Sequence, residues 1–260
     1  MTAVLPADLL PGAETEARKI VAVPRVRLLL GAPVVLALVG TLITALMSGP
    51  ADPTGQPATG AATIGVYLGM IAVFVAAALL GIAATGGEYR HQTMALSVLL
   101  SPDRDRLVTA KYLVTGAFAL GTAVVAELVS FLVLLGAGRG KFELGWQLFE
   151  VLGAGLLVAV CWAVLGAGIG LLLHTLSGAI WLVLGWAFVL EPMIWLIAKG
   201  FGAGGLAAML PVSATVAGVS AGSFEEAEVF APTPAALVVL VLWTAAVGAA
   251  GWWDLRTRDL

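Results

Sequence analysis

The sequence predicts an all-α integral membrane protein with six transmembrane helices. Composition is the first observation: of 260 residues, 60% are hydrophobic and 11% charged, and the mean hydropathy is +1.04. A soluble domain of this length carries roughly a quarter charged residues. The second is length. Six apolar stretches, at 28–48, 62–85, 107–136, 147–173, 178–198 and 234–253, each reach the ~20 residues that cross a hydrocarbon core. Backbone polar groups must pair internally in lipid, so these stretches are helices. The third is charge placement. With the N-terminus inside, ten of the thirteen Lys and Arg residues face the cytoplasm, and only Arg139, Lys141 and Lys199 fall outside. The positive-inside rule then sets both termini in the cytoplasm.

The elements follow in order. Residues 1–27 form a cytoplasmic or interfacial segment of mixed charge, amphipathic from Glu14 to Arg27. The apolar run after it is longer than the hydrophobic region of a secretory signal and reads as an uncleaved first span. Pro50, Pro53, Gly55 and Pro57 mark an external loop. The third and fourth spans are longer than a bilayer requires, so they tilt or protrude. Residues 174–177 make a tight internal turn. The stretch 199–233 contains Leu206 to Pro211, apolar but too short to cross, which reads as a re-entrant or interfacial helix on the outer side. Residues 28–253 form one six-helix domain, and 254–260 a cytoplasmic tail.

Between the second and third spans lies a polar island, from Glu88-Tyr89-Arg90-His91-Gln92-Thr93 to Ser101-Pro102-Asp103-Arg104-Asp105-Arg106, ending at Lys111. Thr85-Gly86-Gly87-Glu88 fits a capping box, and Met94, Leu96, Val98, Leu99 and Leu100 form a short helix. Ser101 and Pro102 are read as N-cap and first residue of the next helix, with Asp103 facing its positive dipole end. On composition alone this elbow is equally a solvated loop obeying the positive-inside rule or a docking site for a soluble partner.

Other motifs exclude functions. None of the four lysines lies in a Gly-Lys-Ser/Thr context, so the chain carries no phosphate-binding loop of its own. Gly218-Val219-Ser220-Ala221-Gly222 matches the serine-hydrolase elbow, but both histidines, His91 and His174, fall on the other side of the membrane. Cys161, His91 and His174 give no metal-ligand spacing. The expectation is a non-enzyme that binds no cofactor or metal of its own. Glu127 and Glu191 are intramembrane carboxylates, which are costly and face a partner or a cavity. They are read as structural groups, as lining for a cationic substrate's path with Trp186, or, for Glu191, as a partner of Lys199 or Arg139. Gly153, Gly155, Gly166, Gly168 and Gly170 on the fourth span favour internal packing over a dimer face.

The stretch EYRHQTMALSVLLSPDRDRLVTAKY resembles the first cytoplasmic loop of ABC-2-type permeases, the membrane subunits of ABC exporters. The resemblance is specific over that stretch and extends in layout to the whole chain. It implies that the elbow is a coupling helix seated in a cleft of a cytoplasmic ATPase. Glu88, Thr93, Pro102, Arg106 and Lys111 match the family pattern, with Arg90 and Arg104 beside them. It implies an outer gate near Met209, Leu210 and Pro211. It also implies a second permease copy or a sister permease, two ATPase subunits that bind ATP and Mg, and a bacterial plasma membrane. The expected function is outward movement of a hydrophobic or amphipathic substrate (a drug, antibiotic, peptide or lipid). The alternative is a proton-coupled secondary transporter using Glu127 and Glu191.

Overall fold

The computed structural model describes residues 9–51, 57–100, 103–220, 223 and 230–258, and among these it contains helices and no strand. In chain order they are α1 (Leu10–Ala22), α2 (Pro24–Met47), α3 (Ile64–Arg90), α4 (Met94–Leu100), α5 (Arg104–Ala137), α6 (Trp146–Leu173), α7 (Leu176–Gly185), α8 (Glu191–Gly200), α9 (Gly204–Ala207), α10 (Pro211–Ser220) and α11 (Thr233–Thr257). A 3-10 turn, Ala61–Thr63, precedes α3, and a π-helical segment, Trp186–Leu190, joins α7 to α8. Six helical stretches are long and apolar enough to cross a bilayer: α2, Ala61–Arg90, α5, α6, Leu176–Gly200 and α11. The chain is a multi-pass membrane protein.

The centre of the bundle is α3 against α6, both largely buried. Small residues let the two backbones touch. A methyl group on Gly81 would collide with the Ala163 carbonyl, and one on Gly166 with the Ala78 carbonyl. Gly168 faces α11 at Val247, whereas Gly153 faces open space. Gly155, Gly166, Gly168 and Gly170 thus serve internal packing, and Gly153 does not. Around this pair stand α2, α5 and α11, while α7 and α8 sit at the edge with Trp181, Phe188, Met193 and Leu196 exposed.

The bundle has two distinct ends. At one, Arg104 donates to the carbonyls of Leu255, Arg256 and Arg258, and His174 lies 2.7 Å from Asp254. This elbow end therefore gathers α1, α4, the α6–α7 turn and the end of α11. At the opposite end, Ala51 donates to Gly140, Glu143 to Thr59, and Lys141 Nζ to the Ala45 carbonyl at 2.8 Å.

Several sequence expectations change. Thr85-Gly86-Gly87-Glu88 does not start a helix: α3 runs through it to Arg90. The Thr85 hydroxyl is directed to the Gly81 and Ala167 carbonyls, so it caps nothing. The N-cap of α5 is Asp103, whose Oδ1 accepts from the backbone of Asp105 and Arg106 at 3.1 and 3.2 Å. Ser101 and Pro102 lie outside the described residues, as do Ala221 and Gly222. Leu210-Pro211 is a junction between α9 and α10, with Pro211 as the first residue of α10.

Candidate functional site

The elbow is a turn and a short helix clamped to the bundle. Helix α3 ends at Arg90, and Gln92 takes a left-handed conformation at φ 55°. The backbone N–H of Thr93 then bonds to the Glu88 carbonyl at 2.9 Å, which closes the turn. Helix α4 leaves from it. Met94 is buried among Leu107, Val108, Leu171 and Leu255, with Val98 packed beside it. The opposite face of α4 has nothing over it: Leu96 is 55% exposed and Leu99 78%. Arg90, His91, Thr93 and Arg106 are also exposed. Arg106 is held by Asp103 at 2.8 Å.

Beneath the elbow lies a network of buried charges. Lys111, one turn into the apolar part of α5, is 0% exposed. Its ammonium donates to Glu88 Oε1 at 2.7 Å, to Glu16 Oε2 at 3.0 Å and to the Ala84 carbonyl at 3.1 Å. Lys19 closes the square, donating to Glu16 Oε1 and Glu88 Oε1, each at 2.7 Å. Two cations meet two carboxylates from α1, α3 and α5, so the desolvation cost of each is offset by charge and hydrogen bonds together. Burial opposes the charge of Lys19. Hydrogen bonds to Glu16 and Glu88 and their negative charges outweigh it, and the lysine pKa stands above its usual 10.5.

The predicted coupling residues therefore divide. Glu88 and Lys111 are interior groups that hold the elbow to α1 and α5, leaving surface contact to others. Arg104 ties α5 to the end of α11. Arg90, Thr93 and Arg106 face outward, and Pro102 lies outside the described residues. Glu16 and Lys19 belong to the network without having been singled out. The available signal was their i,i+3 spacing on an amphipathic segment.

The intramembrane carboxylates also separate. Glu191 is fully buried, and neither Lys199 nor Arg139 pairs with it. Its Oε2 accepts from Trp186 Nε1 at 2.7 Å, and its Oε1 accepts from the Ser213 backbone N–H at 2.5 Å and from the Ser213 hydroxyl at 3.1 Å. It thereby satisfies the first turn of α10 from another helix. Trp195 adds a bond to Ser213 Oγ at 2.6 Å, and Trp162 one to Thr215 at 3.0 Å. Trp243 donates to the carbonyl of the exposed Met209. Glu127 is different. It is 8% exposed, and its Oε1 has no hydrogen-bond partner. It borders a cavity of about 10 Å³, lined by Met70, Val73, Phe74 and Ser130 among others. That is room for about one water molecule.

Among the described residues, no cluster of His, Cys, Asp or Glu could hold a metal ion. The Ser220 hydroxyl donates to the Ala217 carbonyl at 3.1 Å and lies buried. No family model matches the chain, and no curated protein matches it.

Proposed function

We propose that the chain is the transmembrane permease subunit of an ATP-driven exporter of the ABC-2 type, moving a hydrophobic or amphipathic substrate outward. The observation that carries this reading is α4. Met94 clamps one face of it to the bundle, while Leu96 and Leu99 project as an exposed apolar pair, with Arg90 and His91 exposed just before the helix and Arg106 exposed on the next. An apolar anchor with a charged rim is the anatomy of a protein docking surface, the rim giving register and the centre affinity. The partner is a cytoplasmic ATPase with bound ATP and Mg, so the elbow end faces the cytoplasm, as the distribution of Lys and Arg also favours. Two permease chains, identical or sister subunits, pair above two ATPases in a bacterial plasma membrane.

Force on α4 has a route inward. The charge network joins the elbow to α1, α3 and α5, so a push at Leu96 and Leu99 is delivered to three long elements. At the other end α10, held by Glu191, Trp162 and Trp195, closes the pathway as the outer gate. In this role Glu191 and Trp186 position the gate. Glu127, with its unpartnered oxygen beside a cavity the size of one water, is the carboxylate left for a cationic group of the substrate, which would reach it only once the helices around that cavity part.

The test uses the tagged chain extracted gently from its native membrane. A stoichiometric ATPase is expected to co-purify. Leu96→Glu with Leu99→Glu should lower its recovery about tenfold or more, the equivalent of ~1.4 kcal/mol of binding, with helix content unchanged. A chain that purifies alone, and on reconstitution transports in response to a proton gradient, overturns the proposal.

A further inference from the structure

A second surface feature lies away from the elbow and does not depend on the exporter reading. Helices α2 and α5, with the end of α1, border an open lateral groove of about 710 Å³. That volume falls within the ~300–1,000 Å³ of small-molecule sites. Its walls include Val21, Leu30, Val34 and Phe118, and Arg27 stands at one end. Gly31 and Gly121 leave it open: a methyl group on either would meet nothing within 4 Å. From Arg27 to Val34 the groove follows α2 for about 10 Å at 1.5 Å per residue. That is about a third of a ~30 Å hydrocarbon core, so the groove belongs to one leaflet.

Arg27 is exposed, and no described residue pairs with it; the first turn of α2 contains no acidic residue. Its neighbour Arg25 is likewise exposed and unpaired. Among the described residues, the acidic groups of the neighbouring α1 are already used. Glu14 holds Arg18, while Glu16 holds Lys19 and Lys111. A cation at the mouth of an apolar groove, in contact with lipid, calls for a ligand with an anionic head and a hydrocarbon tail.

We propose that this groove binds an anionic phospholipid, its phosphate at Arg27 and an acyl chain laid along Gly31, Val34, Phe118 and Gly121. Bound there, the lipid wedges between α2 and α5 beside the docking site of α1, so its presence stiffens the attachment of that helix. A basic residue at the surface is worth about 1 kcal/mol toward anionic lipid, or about fivefold in affinity. The tail supplies the rest through burial of its methylenes.

The test is native mass spectrometry of the full chain released from nanodiscs containing equal amounts of phosphatidylglycerol and phosphatidylcholine with matched chains. The wild type should retain one phosphatidylglycerol per chain in preference to phosphatidylcholine. Arg27→Gln should reduce that preference about fivefold. Gly121→Leu, which fills the groove without a backbone collision, should abolish retention of both lipids. Arg139→Gln, removing an equal charge at the opposite end, should match the wild type. Circular dichroism establishes that each variant is folded. Equal retention of the two lipids by the wild type overturns the proposal. So does wild-type retention by Gly121→Leu, or a dimer that Gly121→Leu dissociates, since the groove would then hold a second copy.

Discussion

Lys111 offers three donor hydrogens, and each finds an acceptor, on Glu16, Glu88 and the Ala84 carbonyl. Replacing it with Met keeps most of the volume but leaves two carboxylates close together with only Lys19 between them. Removing one member of such a buried set costs about 3–5 kcal/mol. Lys111→Met should lose stability on that scale in denaturant titration in detergent; a loss under about 1 kcal/mol would mean the network contributes little. Glu127 presents the opposite arrangement, an oxygen with no partner and almost no space. A methyl group at Gly155 would stand 2.5 Å from its Oε1 and 3.0 Å from Met70 Cε. Both atoms are the far ends of flexible side chains and can swing aside, so Gly155→Ala should cost little. Gly166→Ala, whose methyl would collide with the backbone carbonyl oxygen of Ala78, should cost about 1–3 kcal/mol by overpacking. Gly153→Ala, in open space on the same helix, should be neutral or stabilise by up to ~1 kcal/mol through helix propensity. Equal effects at Gly166 and Gly153 would contradict the packing described. Glu127 stood out in the sequence because charge is rare in apolar runs, and Glu88 and Lys111 because they bound the polar island. Glu16 and Lys19 did not: their i,i+3 spacing marks only a helix face, while their other partners lie 69 to 95 residues away, a separation that no local pattern encodes.

Helix α10 is ten residues long, about 15 Å at 1.5 Å per residue, half of what a bilayer requires. Its exposed first-turn N–H groups would be costly in lipid, and Glu191 answers that need across the fold. Pro192 is part of how Glu191 arrives there. It has no N–H for the carbonyl one turn back, and the backbone widens to the π-helical turn Trp186–Leu190, with the Glu191 N–H bonded to the Trp186 carbonyl. Glu191→Ala strands the donors of Trp186 and Ser213, at about 1–3 kcal/mol for each buried group left unpaired. Amide exchange in α10 should rise ten- to a hundredfold while α3 and α6 keep wild-type protection. Unchanged exchange in α10 would show that Trp162 and Trp195 hold the helix without Glu191. Hydropathy foresaw a short helix here but placed it early, since Leu206 to Leu210 is the more apolar stretch and the buried Ser213 and Thr215 look like surface residues. The same limitation misplaced the start of the elbow. Thr85 and two glycines look like a helix N-terminus when read locally. In the fold Thr85 bonds across to Ala167, and Gly86 admits the backbone of Leu176.

Across the whole molecule, the six spans were legible because lipid demands length and apolarity together. Their ends were not, because α3 and α5 continue as helices into charged sequence at Arg90 and Arg104, where hydropathy falls but hydrogen bonding does not. The continuation has a consequence for how the molecule holds together. Amphipathic α1 meets the bundle through Ile20, which packs with Leu80 and Val114, and through the four-charge network. Part of its attachment is thus electrostatic and titratable. Lys19 has a folded pKa raised above the ordinary 10.5. A raised lysine pKa means that the charged form is favoured by folding, so its contribution is complete below the unfolded value and is lost as pH rises through the folded one. The difference in melting temperature between the wild type and Lys19→Gln should accordingly stay constant from about pH 7 to 10 and close above ~10.5. Titration of the lysines and tyrosines outside this network is common to both proteins and cancels in that difference. A gap that persists at high pH would mean that the alkyl stem of Lys19, rather than its charge, secures α1. No gap at any pH would assign the attachment to Glu16, Lys111 and the apolar face of the helix alone.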